Sequence, residues 1–130
     1  MDWRRLFSLF KRGPPIYSSN IDVMAHRKNG GLELLVVTSS RLDGSPETQK
    51  LLLDKIELYL DFLQSQECKD EFGELSQAQK LVVLCCYEKP DAVMLALFPR
   101  IAVWVRDSGA TFEVRYGWPG RRQVRWRQDF

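Results

Sequence analysis

The chain offers few residues that could do covalent chemistry. His26 is its one histidine, so a nucleophile–base pair would have to be built around it. Ser39, Ser40 and Cys85 qualify as nucleophiles by type alone, because nothing in their spacing ties them to a base. His26 next to Arg27 reads better as a surface or packing residue of a strand. The three cysteines, Cys68, Cys85 and Cys86, include an adjacent pair. Neighbours on a strand point to opposite faces, so that pair would neither form a disulfide nor share a metal ion. No Cys-x-x-Cys or His-x-x-x-His spacing occurs, and no metal site is expected. Glu67-Cys68-Lys69 and Pro90-Asp91 have the residue types of a metal-dependent nuclease but stand in the wrong order for one. Asp54, Glu57 and Asp61 read as the solvated face of a helix, and Gly30-Gly31 as a hairpin turn rather than a phosphate loop. The expectation is no catalytic residue and no cofactor.

Binding chemistry is better represented, at the two ends. Residues 115–130 hold Arg115, Arg121, Arg122, Arg125 and Arg127 against Asp129, interleaved with Trp118 and Trp126. Guanidinium forks pair with carboxylates or phosphates, and indole rings stack on bases or on guanidinium groups. Trp118, Arg121, Arg122, Arg125, Trp126 and Arg127 are therefore the expected binding residues. The competing reading is an edge hairpin whose rings pack inward while its arginines blunt the edge. At the other end Trp3, Leu6, Phe7 and Phe10 fall at i, i+3, i+4 and i+7. They form one stripe of an amphipathic helix that could pack on its own domain, support a homodimer, dock on a partner or touch a membrane. Twelve residues are few for stable membrane attachment.

Composition bounds the rest. With 130 residues, 45% hydrophobic and 28% charged, the chain has the size of one globular domain that folds without disulfides or metals. The net charge of +2 hides two basic ends around an acidic body. No apolar run approaches the length of a membrane span, the first residues lack the apolar stretch of a secretory signal, and the cysteines read as reduced thiols of a cytoplasm.

The elements follow from periodicity. An amphipathic helix is expected first, ended by Gly13-Pro14-Pro15, with residues 1–20 forming that helix and a linker. Residues 21–130 are expected to be a single α/β domain ending in an Arg/Trp-rich hairpin. Ile21–Arg27 and Leu32–Thr38 read as strands around an Asn29-Gly30-Gly31 turn. Ser45-Pro46 starts a helix to about Ser65, with Leu52, Ile56, Tyr59, Leu60 and Leu63 inward. Residues 66–79 read as a loop or short helical turn. Lys80–Tyr87 is apolar on both faces and reads as a central strand. A helix opening at Pro90-Asp91, kinked at Pro99, would bury Val93, Leu97, Ile101, Trp104 and Val105. Residues 100–106 also alternate like a strand, and the helix is preferred because it covers the sheet. Thr111–Tyr116 and Gln123–Gln128 complete the sheet, the latter as an edge strand. The expected fold is α/β (α+β), a single mixed sheet with helices packed on it, in the order α-β-β-α-β-α-β-β.

These features resemble a family of small bacterial domains of unknown function. The resemblance rests on the Ile21-Asp22 opening, the Gly-centred hairpin and the Lys55-Ile56-x-x-Tyr59-x-x-Phe62 helix. The apolar strand running through Cys85-Cys86 into the Pro90 helix start carries it further. It covers about residues 21–116 and leaves out both basic ends. It implies a bacterial, cytoplasmic setting and brings no activity. The expected function is a non-enzymatic protein-interaction module, of immunity or inhibitor type, that meets an acidic protein surface. Nucleic-acid binding through the same arginines and tryptophans is the alternative.

Overall fold

The computed structural model describes residues 15–16 and 20–117, and the backbone of 126–129. The expected N-terminal helix with Trp3, Leu6, Phe7 and Phe10 lies outside the described residues, as do Trp118, Arg121, Arg122 and Arg125. Five strands form one mixed sheet in the order β1-β2-β3-β4-β5. They are β1 (Val23–His26), β2 (Leu32–Val37), β3 (Lys80–Cys86), β4 (Thr111–Tyr116) and β5 (Trp126–Asp129). β2, β3 and β4 run parallel, and β1 and β5 close the sheet antiparallel on either side. Three helices connect the parallel strands: α1 (Pro46–Leu63) and α2 (Gln66–Phe72) between β2 and β3, and α3 (Ala92–Asp107) between β3 and β4.

Local chemistry explains most of these boundaries. The β1–β2 turn closes through Arg27 N–H to Gly31 O at 2.7 Å, with Gly30 at φ 88°, a value that favours glycine. The Ser45 hydroxyl accepts from Thr48 N–H and caps α1, with Pro46 in the first helical position. Asp91 caps α3 by accepting from Val93 N–H at 2.9 Å.

Both crossovers step the same way along the sheet. Right-handed connections of that kind bring their helices to one face. On this face Leu34, Val36, Val82, Leu84, Phe112 and Val114 pack with Leu52, Ile56 and Tyr59 of α1 and Met94, Phe98 and Ile101 of α3. Leu35, Leu81, Val83 and Cys85 form a second buried cluster on the opposite face. β3 is buried on both faces, as a central strand should be.

Two details differ from the sequence reading. Residues 66–79 are more ordered than a loop. Ser65 caps α2 through Cys68 N–H, and a single 3-10 turn follows at Gln77–Gln79. The eight expected elements are therefore not the order observed. The buried stripe of α3 is Met94, Phe98, Ile101 and Val105, whereas Val93 is exposed. Residues 92–98 are apolar at nearly every position, so composition could not set the phase of the helix; the Asp91 cap and the contacts with the sheet do. Residues 100–106 are helical, as the preferred reading expects, and Pro99 lies inside α3.

Candidate functional site

Open α/β sheets bind ligands at the carboxyl ends of their strands, where the strand order reverses. Here β2, β3 and β4 follow one another without reversal, so among the described strands there is no such switch point. The loops at that end also consume their own polar groups. Asp43 accepts from Ser45 N–H at 3.1 Å, the Ser45 hydroxyl at 2.6 Å and the Thr48 hydroxyl at 2.6 Å. The Ser45 hydroxyl holds its carboxyl below the ordinary range, with Thr48 adding to the effect. Asp91 Oδ2 faces Arg41 at 3.7 Å, and Asp91 N–H donates to Leu42 O. The Thr38 hydroxyl donates to Cys85 O and accepts from Tyr87 N–H, both at 3.1 Å. Both helix N-termini are thus capped by side chains of the chain itself.

Two ion-pair clusters lie inside the fold. The first explains the Ile-Asp and Lys-Ile-x-x-Tyr features. Lys55 on α1 is wholly buried, reaches Asp22 Oδ1 at 2.8 Å and donates to Asn20 O. Tyr59, one turn on, donates to Leu35 O at 2.6 Å and accepts from Asp22 N–H at 2.9 Å. Burial pushes the Tyr59 phenol well above its ordinary range. Asp22 Oδ2 accepts from Val37 N–H at 2.9 Å. The start of β1, the end of β2 and α1 are therefore locked together.

The second cluster lies on the sheet face away from the helices. Arg115 on β4 spans β3 and grips both oxygens of Glu33 on β2, at 3.0 and 2.8 Å. Its Nη2 also bonds Glu113 at 2.9 Å, and Arg27 adds a bond to Glu33 at 2.6 Å. The bidentate bond from Arg115 outweighs burial and lowers the Glu33 carboxyl below its ordinary value. Arg115 belongs by sequence to the basic end, yet its charge is spent inside the fold. The signal for this was present: Glu33 is the lone charged residue of an otherwise apolar strand, Glu113 shares a strand face with Arg115 two residues on, and buried carboxylates demand cations. Which cations answer them depends on strand order, which composition does not encode.

The candidate nucleophiles are poorly placed for catalysis. Cys68, Cys85 and Cys86 are buried free thiols. Burial pushes Cys85 up to about 11 and Cys86 up to about 12, so neither supplies thiolate near neutrality. His26 is exposed on β1 and lies edge-on to Phe72, with ring centroids 5.5 Å apart. Ser39 donates its N–H to Pro15 O. Asp54, Glu57 and Asp61 are exposed on α1, as a solvated face. Among the described residues no three His, Cys, Asp or Glu side chains gather to hold a metal ion. Among them, too, no helix is long and apolar enough to cross a membrane.

Of the expected binding residues, Trp126 and Arg127 are described in backbone only, within β5. Their Cα partners on β4 are Tyr116 and Arg115.

The architecture is thus a small α+β domain: a mixed sheet with its connecting helices on one face and ion-pair clusters drawn from its own strands and helix. Residues 16–117 match a family of unknown function (DUF6572), and the chain belongs to that family. No curated protein and no solved structure matches it.

Proposed function

We propose that this domain is a non-enzymatic protein-interaction module of the bacterial cytoplasm, of immunity or inhibitor type. Its contact surface is the segment holding Trp118, Arg121, Arg122, Arg125, Trp126 and Arg127, and its partner presents acidic groups. The observation that supports this most is the place of β5 at the end of the strand order. Among the described residues no strand lies on its far side. An edge strand offers unpaired backbone groups, and the residues leading into this one are rich in arginine and tryptophan, which are frequent interface anchors. The closure of the other polar clusters on themselves supports the same reading.

The test compares the wild-type chain with a variant carrying alanine at Trp118, Arg121, Arg122, Arg125 and Trp126. Both are cross-linked in the cells of origin and analysed by quantitative mass spectrometry. A partner recovered in stoichiometric amount with the wild type and lost with the folded variant supports the proposal. Retention of the same partner by the variant, or no cross-linked partner at all, overturns it. A gel shift with a short DNA duplex or RNA strand at low salt that fades at physiological salt would replace it with nucleic-acid binding.

A further inference from the structure

A groove of about 330 Å³ runs along α3 beside the start of β4. The Met94, Phe98, Ile101 and Val105 stripe faces the core, so Pro99, Ala102, Val103 and Arg106 form the neighbouring outward stripe of the same helix. The first three of these give the groove an apolar wall, which Ala110 and Phe112 continue. Val103 is 45% exposed, so its branched side chain is open to a ligand lying in the groove. The volume falls at the lower end of small-molecule sites, which are mostly apolar with a few placed polar groups.

The polar rim decides what such a ligand must carry. Gln77 Nε2 donates to Arg106 O at 3.2 Å and to Ala110 O at 3.1 Å. The Thr111 hydroxyl donates to Gln77 O at 3.1 Å. These donors are committed to the backbone. The guanidinium of Arg106 is not: among the described residues it makes no ion pair and no side-chain hydrogen bond. Its position in the last turn of α3 complements the helix dipole, a long-range effect that leaves the N–H fork open. One fork matches one carboxylate, and a dianionic phosphate would ask for more donors than this rim retains.

We propose that this groove binds a small amphipathic carboxylate, with its aryl or alkyl body against Pro99, Ala102, Val103 and Phe112 and its carboxylate on Arg106. The site uses none of the residues of the arginine–tryptophan segment and stands or falls independently of that reading.

The probe is 4-phenylbutyrate, titrated into the uniformly 15N-labelled full chain and followed by amide chemical shifts. Saturable shifts at Ala102, Val103, Ala110 and Thr111 are expected, with a dissociation constant of about 1 mM or tighter. Arg106→Gln should weaken binding about tenfold by removing the charge-assisted bond. Val103→Glu should abolish it by placing a carboxylate in the groove. Both side chains are exposed, and the amide spectrum reports directly that each variant is folded. Acetate and 4-phenylbutan-1-ol, which carry the head or the body alone, should each bind at least about tenfold more weakly. Shifts at other residues, no saturation by about 10 mM, or equal binding by Arg106→Gln would each overturn the proposal.

Discussion

The ammonium of Lys55 has no exposed surface and lies 2.8 Å from the carboxylate of Asp22, which keeps part of its side chain in solvent. The two ends of this pair are therefore unequal. Removing Asp22 leaves a charge buried, whereas removing Lys55 leaves a carboxylate that water can reach. Asp22→Ala should cost about 3 kcal/mol, in the range for stranding a buried charge. Lys55→Met keeps the apolar stem and should cost less. Urea unfolding of both variants and of the double variant measures the asymmetry. Equal losses from the two single variants would show that the burial of Lys55 is not what makes the pair matter.

Glu33 predicts how the domain responds to acid. Arg115 lowers its carboxyl below the ordinary 4.5, against the opposing effect of burial. A carboxyl lowered on folding contributes stability in full above its unfolded value and loses it as pH falls through the folded one. Unfolding free energy should therefore begin to drop below about pH 4.5. Glu33→Gln should cost about 2 kcal/mol at pH 7, because Arg115 keeps Glu113 and Arg27 is partly solvated. It should also flatten the acid limb below about pH 4.5, which urea titrations at stepped pH would show. An acid limb as steep in the variant as in the wild type would assign the acid response to other carboxylates.

The two clusters mark where reading the sequence succeeds and where it stops. Features carried by neighbours were legible: the Asn29-Gly30 turn, the Ser45-Pro46 helix start, and the inward and outward faces of α1. Each depends on a few consecutive residues or on one clear period. The short helix α2 was not legible because only Cys68 is buried in it, so it shows no apolar period. The phase of α3 was lost in a run where almost every residue is apolar. The pairing of Arg115 with Glu33 depends on β2 and β4 flanking β3 in a parallel run, and no local pattern states that register. Asp22, Lys55 and Tyr59 were visible as parts of a family resemblance, and only the fold turns them into one bonded unit.

The thiols give a direct test of the burial argument. Cys85 and Cys86 point to opposite faces of β3, and each is packed in a separate apolar cluster. Burial raises both, so the reactive thiolate is scarce and the sulfur is screened as well. In the native protein at pH 8 an aromatic disulfide reagent should label neither one within minutes, while unfolding in urea should expose all three cysteines. Rapid native labelling traced to Cys85 or Cys86 by mass spectrometry would show that one face of β3 opens readily.

Gly44 sets how closely the β2–α1 loop approaches α3. A Cβ built there would lie 2.8 Å from Val93 Cβ and 2.9 Å from Asp91 Oδ1. The constraint is steric, since Gly44 is not among the glycines with positive φ. Gly44→Ala must therefore push the loop away from the first turn of α3, where Asp91 both caps the helix and donates to Leu42 O. The cost should be about 1–3 kcal/mol, as for overpacking at a tight contact. Val93 is exposed, so Val93→Ala alone should change stability by no more than about 0.5 kcal/mol. That substitution leaves the Cβ of residue 93 in place and removes only the Cγ2 contact at 3.2 Å, so it should relieve a small part of the Gly44→Ala cost. Val93→Gly removes both contacts with residue 93 and should relieve more of it, beyond its own helix-propensity penalty of about 1 kcal/mol, while the contact with Asp91 Oδ1 remains. Thermal unfolding of the three single variants and the two double combinations separates these terms. If Gly44→Ala is as stable as the wild type, the loop yields without strain and the close approach to α3 does not constrain it.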